Sequence, residues 1–199
     1  MSTFFTRWYD RFMGPLERGS FQHIRQRLLQ AAKGKVLEVG SGTGVNFEWY
    51  SRVTVEEVTA IEPVDAMREQ SLQRAAKAPV TIHLYNAGAE YLPFPDESFD
   101  TVVATLVMCT IPDPVQAMQE MYRVCKPGGR FLMFEHVQHE HRWLRFLQDA
   151  LTPMWKRWCD GCHLNRDSIG LLGKGGFTIV REERLLGSLF VVVEAVKER

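Results

Sequence analysis

The sequence carries no net charge: 24 lysines and arginines balance 24 aspartates and glutamates over 199 residues. A protein that neutralises many nucleic-acid phosphates usually shows a basic excess, so nucleic acid is not an expected partner. Cysteine is scarce. Cys109, Cys125, Cys159 and Cys162 are too few to build a disulfide scaffold at this length. No apolar run approaches the ~20 residues of a membrane-spanning helix; the longest uncharged apolar stretch extends from Thr101 to Pro112. The opening residues, Met1-Ser2-Thr3-Phe4-Phe5-Thr6-Arg7, show no apolar run followed by a small-residue cleavage site. A reduced, cytoplasmic protein is therefore expected. Repeats and low-complexity segments are missing too, so the chain reads as one domain, 1–199.

What is present is 45% hydrophobic and 24% charged residues, the mix of a globular α/β or similar domain rather than a disordered one. Charge is unevenly spread: residues 1–35 are net +5, 36–135 net −7 and 136–199 net +2. An acidic middle suits a cationic ligand better than a phosphate-rich one.

Short apolar runs recur at strand length: 36–39, 57–61, 80–84, 101–107, 130–134, 177–180 and 190–196. Helix-length segments separate the first five, namely 64–76 and 114–125 among them, the latter with Val115, Met118, Met121, Tyr122 and Cys125 on one face and Pro127-Gly128-Gly129 as its stop. Such alternation predicts an α/β fold with a mostly parallel sheet covered on both faces. The last two runs are joined too closely for a crossover helix and should pair antiparallel.

The first strand runs into Glu38-Val39-Gly40-Ser41-Gly42-Thr43-Gly44. Glycines at the carboxyl end of a first strand let a ligand approach backbone. The spacing is G-x-G-x-G rather than the G-x-G-x-x-G of dinucleotide sites, and no Gly-Lys-Ser/Thr follows. Glu62 ends the second strand, placed to accept from ribose hydroxyls. Asn86-Ala87-Gly88-Ala89-Glu90 follows the third, where an acid or amide can meet an adenine amino group. With Glu38 these make three carboxylates around one crevice, hostile to pyrophosphate and favourable to a cationic nucleoside such as S-adenosylmethionine.

Leu37-Glu38-Val39-Gly40-Ser41-Gly42-Thr43-Gly44, Glu62, Ala89-Glu90, Phe99-Asp100 and Arg123-Val124-Cys125-Lys126-Pro127-Gly128-Gly129 together resemble a class I S-adenosylmethionine-dependent methyltransferase of the type-11 kind. The resemblance implies a Rossmann-like seven-stranded sheet with its last strand antiparallel. It implies that Gly40, Gly42 and Gly44 pack on the methionine and ribose of the cofactor, with Ser41, Thr43 and Asn46 in the same loop. Glu62 and Pro63 would hold the ribose, Ala89 and Glu90 would flank the adenine, and Thr105 and Leu106 would line the pocket. More narrowly, Gly42-Thr43-Gly44-Val45-Asn46-Phe47, Thr105-Leu106-Val107-Met108-Cys109, Glu135-His136, Trp155-Lys156 and Asp160-Gly161-Cys162 are similar to stretches of small thiol S-methyltransferases related to membrane-associated alkyl-thiol enzymes. The chain differs from them in lacking a hydrophobic N-terminal anchor.

The expected anatomy is an N-terminal helical lid (1–34), a cofactor-binding core (35–135), a helical substrate cap (137–176) and a C-terminal strand pair (177–199). Phe5, Trp8, Tyr9 and Phe12 form a short apolar stripe at helical spacing, read as a lid in preference to a peripheral membrane contact. His136, at the end of the fifth strand, either takes a proton from the acceptor, with Glu135 orienting its ring, or orders the cap. His139 and His141 are expected at the surface of the next helix, and Asp100 is expected to order a turn. Cys159-Asp160-Gly161-Cys162-His163 has no second Cys/His pair at finger spacing, so no metal is expected. The activity expected is methyl transfer to a small, apolar acceptor, a thiol being one candidate. An N- or C-methyltransferase of a phospholipid headgroup or quinone precursor, an NAD-dependent oxidoreductase and a non-catalytic cofactor-binding module are the alternatives.

Overall fold

Strands that are apolar at nearly every position must be covered on both faces, and the chain meets that demand with one seven-stranded sheet. A computed structural model describes residues 17–159 and 161–199; the stripe Phe5, Trp8, Tyr9 and Phe12 lies outside them, as does Asp160. The strands are β1 (Gly34–Val39), β2 (Val55–Ile61), β3 (Thr81–Tyr85), β4 (Phe99–Thr105), β5 (Cys125–His136), β6 (Thr178–Leu185) and β7 (Phe190–Val196). Their order in the sheet is β3-β2-β1-β4-β5-β7-β6. The first five are parallel, and β7 runs antiparallel to both β5 and β6. The sequence of strands reverses between β1 and β4, which opens a crevice at their carboxyl ends.

The helices are α1 (Gln22–Leu29), α2 (Asp65–Ala75), α3 (Pro114–Val124), α4 (Arg142–Trp158) and α5 (Ser168–Lys174). Alternate strand residues feed two cores. Leu37, Val39, Val102, Ala104, Phe131 and Met133 pack with Met118 and Met121 of α3 and Leu172 of α5. Val36, Val58, Val103, Leu132 and Phe134 pack with Ile24, Leu28 and Leu29 of α1. α3 starts where Asp113 accepts from the Gln116 N–H at 3.0 Å, with Pro114 in its first turn. Val115, placed by periodicity on the apolar face of α3, is exposed, and Ala117 and Val124 are buried instead.

Several boundaries move. β4 stops at Thr105 because Leu106 takes φ +53°, outside strand geometry. The Pro127-Gly128-Gly129 stretch, read as a turn, belongs to β5: the Gly128 N–H donates to Lys197 O at 2.7 Å and the Lys197 N–H to Gly129 O at 3.0 Å. β6 continues to Leu185, leaving a tight hairpin before β7. α4 buries only Thr152, while Trp143, Phe146, Leu151, Met154 and Trp158 stay exposed.

Phe134 is fully buried and sits edge-on to Phe21, 5.1 Å between ring centroids, and 5.8 Å from Phe190. Phe134→Ala should cost about 3–5 kcal/mol of unfolding free energy, the usual loss for a buried aromatic. Urea denaturation checks this; a loss below about 1 kcal/mol would mean that this core collapses around the gap.

Candidate active site

The glycine loop turns back over β1 with Gly40, Gly42 and Gly44 at φ +63°, +56° and +80°. Their surroundings differ. A Cβ on Gly40 would lie 2.1 Å from Val107 Cγ2, and one on Gly44 would lie 2.6 Å from the Phe47 ring. Close packing therefore leaves no room for a side chain at Gly40 or Gly44. A Cβ on Gly42 would meet nothing within 4 Å. Gly42 borders the open space of the crevice.

Glu62 secures this geometry. Its Oε2 accepts from the Gly42 N–H at 3.0 Å and its Oε1 from the Val64 N–H at 2.9 Å, tying the loop to the start of α2. Burial pushes its carboxyl above the usual range, against those two hydrogen bonds. Two acceptor lone pairs remain for further donors. Pro63 follows in an exposed position. Ser41 is buried and its hydroxyl has no partner among the described residues. Thr43 is buried, its carbonyl accepting from Arg74 Nη1 at 2.7 Å.

Glu38 departs from its expected place. Its Oε1 accepts from Asn46 Nδ2 at 3.0 Å and its Oε2 from the Tyr50 hydroxyl at 2.7 Å. Arg25, buried in α1, donates to Asn46 Oδ1 at 3.0 Å and to Thr105 Oγ1 at 2.6 Å, and Asn46 Nδ2 also reaches Thr105 Oγ1 at 3.0 Å. Glu38, Asn46 and Thr105 thus form a buried network beneath the loop rather than a ligand-facing rim. Ala89 packs into the core. Glu90 is half-buried and accepts from the Asp113 N–H at 3.4 Å. Of the three expected carboxylates, Glu38 is tied into this network, whereas Glu62 and Glu90 accept from backbone N–H groups. Leu106 follows Thr105 half-buried, with its N–H on Phe134 O at 2.7 Å. Asp100 orders the strand entry as expected, accepting from the Lys35 N–H at 2.9 Å and Lys126 Nζ at 2.8 Å.

At the carboxyl ends of β4 and β5 a second constellation forms. His136 Nε2 lies 3.2 Å from Cys162 Sγ. Donor atoms of Cys109, His136 and Cys162 all fall within 4.8 Å of one another. Cys162 has its pKa lowered, first by a hydrogen bond from Cys109 and then by His136; the same hydrogen bond and burial raise that of Cys109. Burial opposes the charge on His136, yet the Cys162 sulfur beside it raises its pKa on balance. Glu135 does not orient that ring: its Oε1 accepts from the N–H groups of Val107 and Met108, the latter at 2.7 Å. Burial lifts its carboxyl to about 7. His139 is buried, with Nε2 at 2.7 Å from Gly187 O and Nδ1 accepting from the His141 N–H, so only His141 is at the surface.

The loop carrying Cys162 is held from both sides. The His163 N–H donates to Cys109 O at 2.9 Å, Arg166 Nη1 to Ile111 O at 2.9 Å, and Gln148 Nε2 of α4 to Val137 O and Leu164 O at 3.0 and 2.9 Å. Sequence reasoning missed Arg25, Tyr50 and Cys109 as site residues.

Residues 37–133 match the family model described as a methyltransferase domain. The chain is 31% identical over 189 residues to thiol S-methyltransferase TMT1A of Homo sapiens, an alignment covering 93% of this chain and 77% of the relative. It belongs to the S-adenosylmethionine-dependent methyltransferases. A phosphatidylethanolamine N-methyltransferase of Cereibacter sphaeroides is 32% identical over 155 residues, covering 76% of this chain and 75% of that protein. The fold is shared with an S-adenosylmethionine-dependent methyltransferase from Mesorhizobium loti, with a TM-score of 0.70 at 17% identity over 90% of this chain and 99% of that one. S-adenosylmethionine is the methyl donor of this family and fold. The open space at Gly42 and the unpartnered buried hydroxyl of Ser41 fit a ligand that carries both a chain and hydroxyl or carboxylate groups.

Two outcomes follow for this methyltransferase. Gly42→Val should abolish binding of S-adenosylhomocysteine in a chain that still folds, since the branched side chain fills the open space; calorimetry with unchanged affinity would contradict the assignment. Glu38 is raised from 4.5 to about 7 by burial, so its proton stabilises the fold fully below pH about 4 and less as pH rises through about 7. Glu38→Gln should flatten that decline between pH 5 and 8, read by urea unfolding at each pH; equal slopes would show Glu38 ionised throughout.

Proposed function

We propose that this methyltransferase acts on a small, apolar thiol in the cytoplasm. The observation that carries the reading is the His136–Cys162–Cys109 cluster, set on the sheet edge that also bears the Gly42 crevice. An imidazole among thiols is a site able to accept and hold the proton that an acceptor thiol must lose, because the thiolate is the nucleophile. The thiol S-methyltransferase relative, similar over nearly the whole chain, supports the same acceptor class.

Bound in the crevice, S-adenosylmethionine supplies a methyl group activated on a sulfonium. Gly42 would give it backbone access, Ser41 Oγ would donate to or accept from its polar groups, the remaining lone pairs of Glu62 would accept from its ribose hydroxyls, and Glu90 would face the adenine end. Methyl transfer is an in-line displacement in which alignment dominates, so the protein's main task is to hold both partners. In this reading the N-terminal segment serves as a lid and the 137–176 segment as a substrate cap. An open groove of about 540 Å³ lies between α4 and the 163–165 loop, lined by Asp149, Thr152, Lys156, Arg157, His163 and Asn165, beside the loop that carries Cys162. Met108 is fully buried in the core; the apolar surface belongs to α4.

That surface favours one second reading. No described helix is long and apolar enough to cross a membrane, but Trp143, Phe146, Leu151, Met154 and Trp158 present an exposed apolar face. Such a face suits peripheral contact with lipid and hence a phospholipid headgroup as acceptor, as in the name of the Cereibacter relative.

Labelled S-adenosylmethionine offered with a panel of thiols, amines, hydroxyls and phosphatidylethanolamine vesicles separates the two. Label should pass to apolar thiols; label on lipid amine alone would establish the second reading. On a thiol acceptor, His136→Ala should lower turnover at pH 7 by on the order of 10²-fold, with affinity for S-adenosylhomocysteine retained. The deficit should narrow towards the thiol's own pKa of ~8.5, where solvent supplies the thiolate. Parallel pH–rate profiles for wild type and variant would reduce His136 to a residue that orders the cap.

A further inference from the structure

We infer that Cys109, His136 and Cys162 form a three-ligand site for a zinc-type divalent cation whose fourth position takes the sulfur of the acceptor. The inference rests on the thiol reading given above. The three donors come from separate segments: the turn after β4, the last residue of β5 and the loop after α4. Their donor atoms all lie within 4.8 Å of one another, with 3.2 Å between His136 Nε2 and Cys162 Sγ. Zinc bonds of about 2.3 Å to sulfur and 2.0 Å to nitrogen place tetrahedral donors about 3.6–3.8 Å apart. Shifts of an ångström or less therefore bring the cluster to a metal's geometry. Two cysteines and one histidine are also a donor set that leaves zinc a fourth, exchangeable position, and their softness disfavours magnesium or calcium.

The surroundings are those of a held site. Cys162 accepts a hydrogen bond from the Trp155 side chain, and the His163 N–H fixes its loop to Cys109 O. Glu135 Oε1 fixes the turn leading to Cys109 through the Val107 and Met108 N–H groups. Its Oε2 is buried without a partner among the described residues. Arg166 is near enough to interact with Glu135 and with both sulfurs, and a bound divalent cation would add to that positive charge. In the proposed step the acceptor R–SH displaces water from the fourth position and binds as thiolate. A metal–sulfur bond forms in place of the metal–water bond, the S–H bond breaks, its proton passes to solvent, and no oxidation state changes. With the cation bound, His136 is a ligand, and the cation takes over from the imidazole the task of holding the acceptor as thiolate.

The test uses the full chain, reduced and free of any histidine tag, loaded with zinc chloride and dialysed. One zinc per chain should remain, and X-ray absorption should report two sulfurs near 2.3 Å with one imidazole nitrogen. Adding 2-mercaptoethanol with S-adenosylhomocysteine should raise the count to three sulfurs. Cys162→Ser and His136→Ala should weaken zinc in a chelator competition by at least about 100-fold, while Cys159→Ser leaves it unchanged. Circular dichroism checks that each variant is folded. Folded wild type retaining less than a tenth of a zinc, or joining Cys109 to Cys162 as a disulfide under the same conditions, would overturn the site. Calorimetry with S-adenosylhomocysteine on the metal-free chain separates the two levels: binding there with no zinc retained defeats the metal site alone. Absent binding defeats the cofactor crevice whatever the zinc content.

Discussion

A guanidinium buried beneath the glycine loop holds the cofactor end of this protein together. Arg25 is almost inaccessible, lies 5.8 Å from the centre of the Phe134 ring, and binds both Asn46 and Thr105. Through Asn46 its reach extends to Glu38, and through Glu38 to Tyr50. One charge thereby joins α1, β1, β4 and the 46–50 turn. A buried charge is costly unless its partners are in place, so these four elements have one favourable arrangement, and that arrangement is the floor of the crevice. Above the floor, Glu62 grips the Gly42 and Val64 N–H groups and leaves the Gly42 side of the loop open.

The proposed acceptor end is organised by a buried carboxyl group. Glu135 uses one carboxylate oxygen to shape the turn after β4, and that turn carries Cys109 towards His136 and Cys162. Leu106, at φ +53°, is where the strand ends and this turn begins, a strained position for a branched side chain. Both ends lie along the carboxyl edge of the sheet, close to where strand order reverses. The fold supplies the location there, and the proposed chemistry rests on side chains brought together from separate segments.

The fold was legible because its signals are local. Apolar strands, the apolar face of the 114–125 helix and the short join before β7 each depend on neighbours in sequence. The cofactor motif was legible in part: the glycines turn at the end of β1 and Glu62 follows β2, but spacing alone could not show that side chains at Gly40 and Gly44 would collide with Val107 and Phe47 or that Glu38 faces inward. Those facts depend on Val107, Phe47 and Asn46 meeting the loop in space. The same limit hid the thiol cluster. Cys162 has Cys159 three residues away, which drew attention to the wrong pair, whereas its spatial partners Cys109 and His136 come from distant segments and match no ligand-spacing pattern. Arg25 gave no signal at all, because a lone arginine on a short helix is normally solvated.

A crystal structure of the full chain with S-adenosylhomocysteine tests the central claim most directly. The account predicts the ligand against the Gly42 backbone, its ribose hydroxyls on Glu62 and its sulfur turned towards the edge that carries Cys109, His136 and Cys162. Ligand bound away from Gly42, or a crevice that stays empty at saturating concentration, would contradict it.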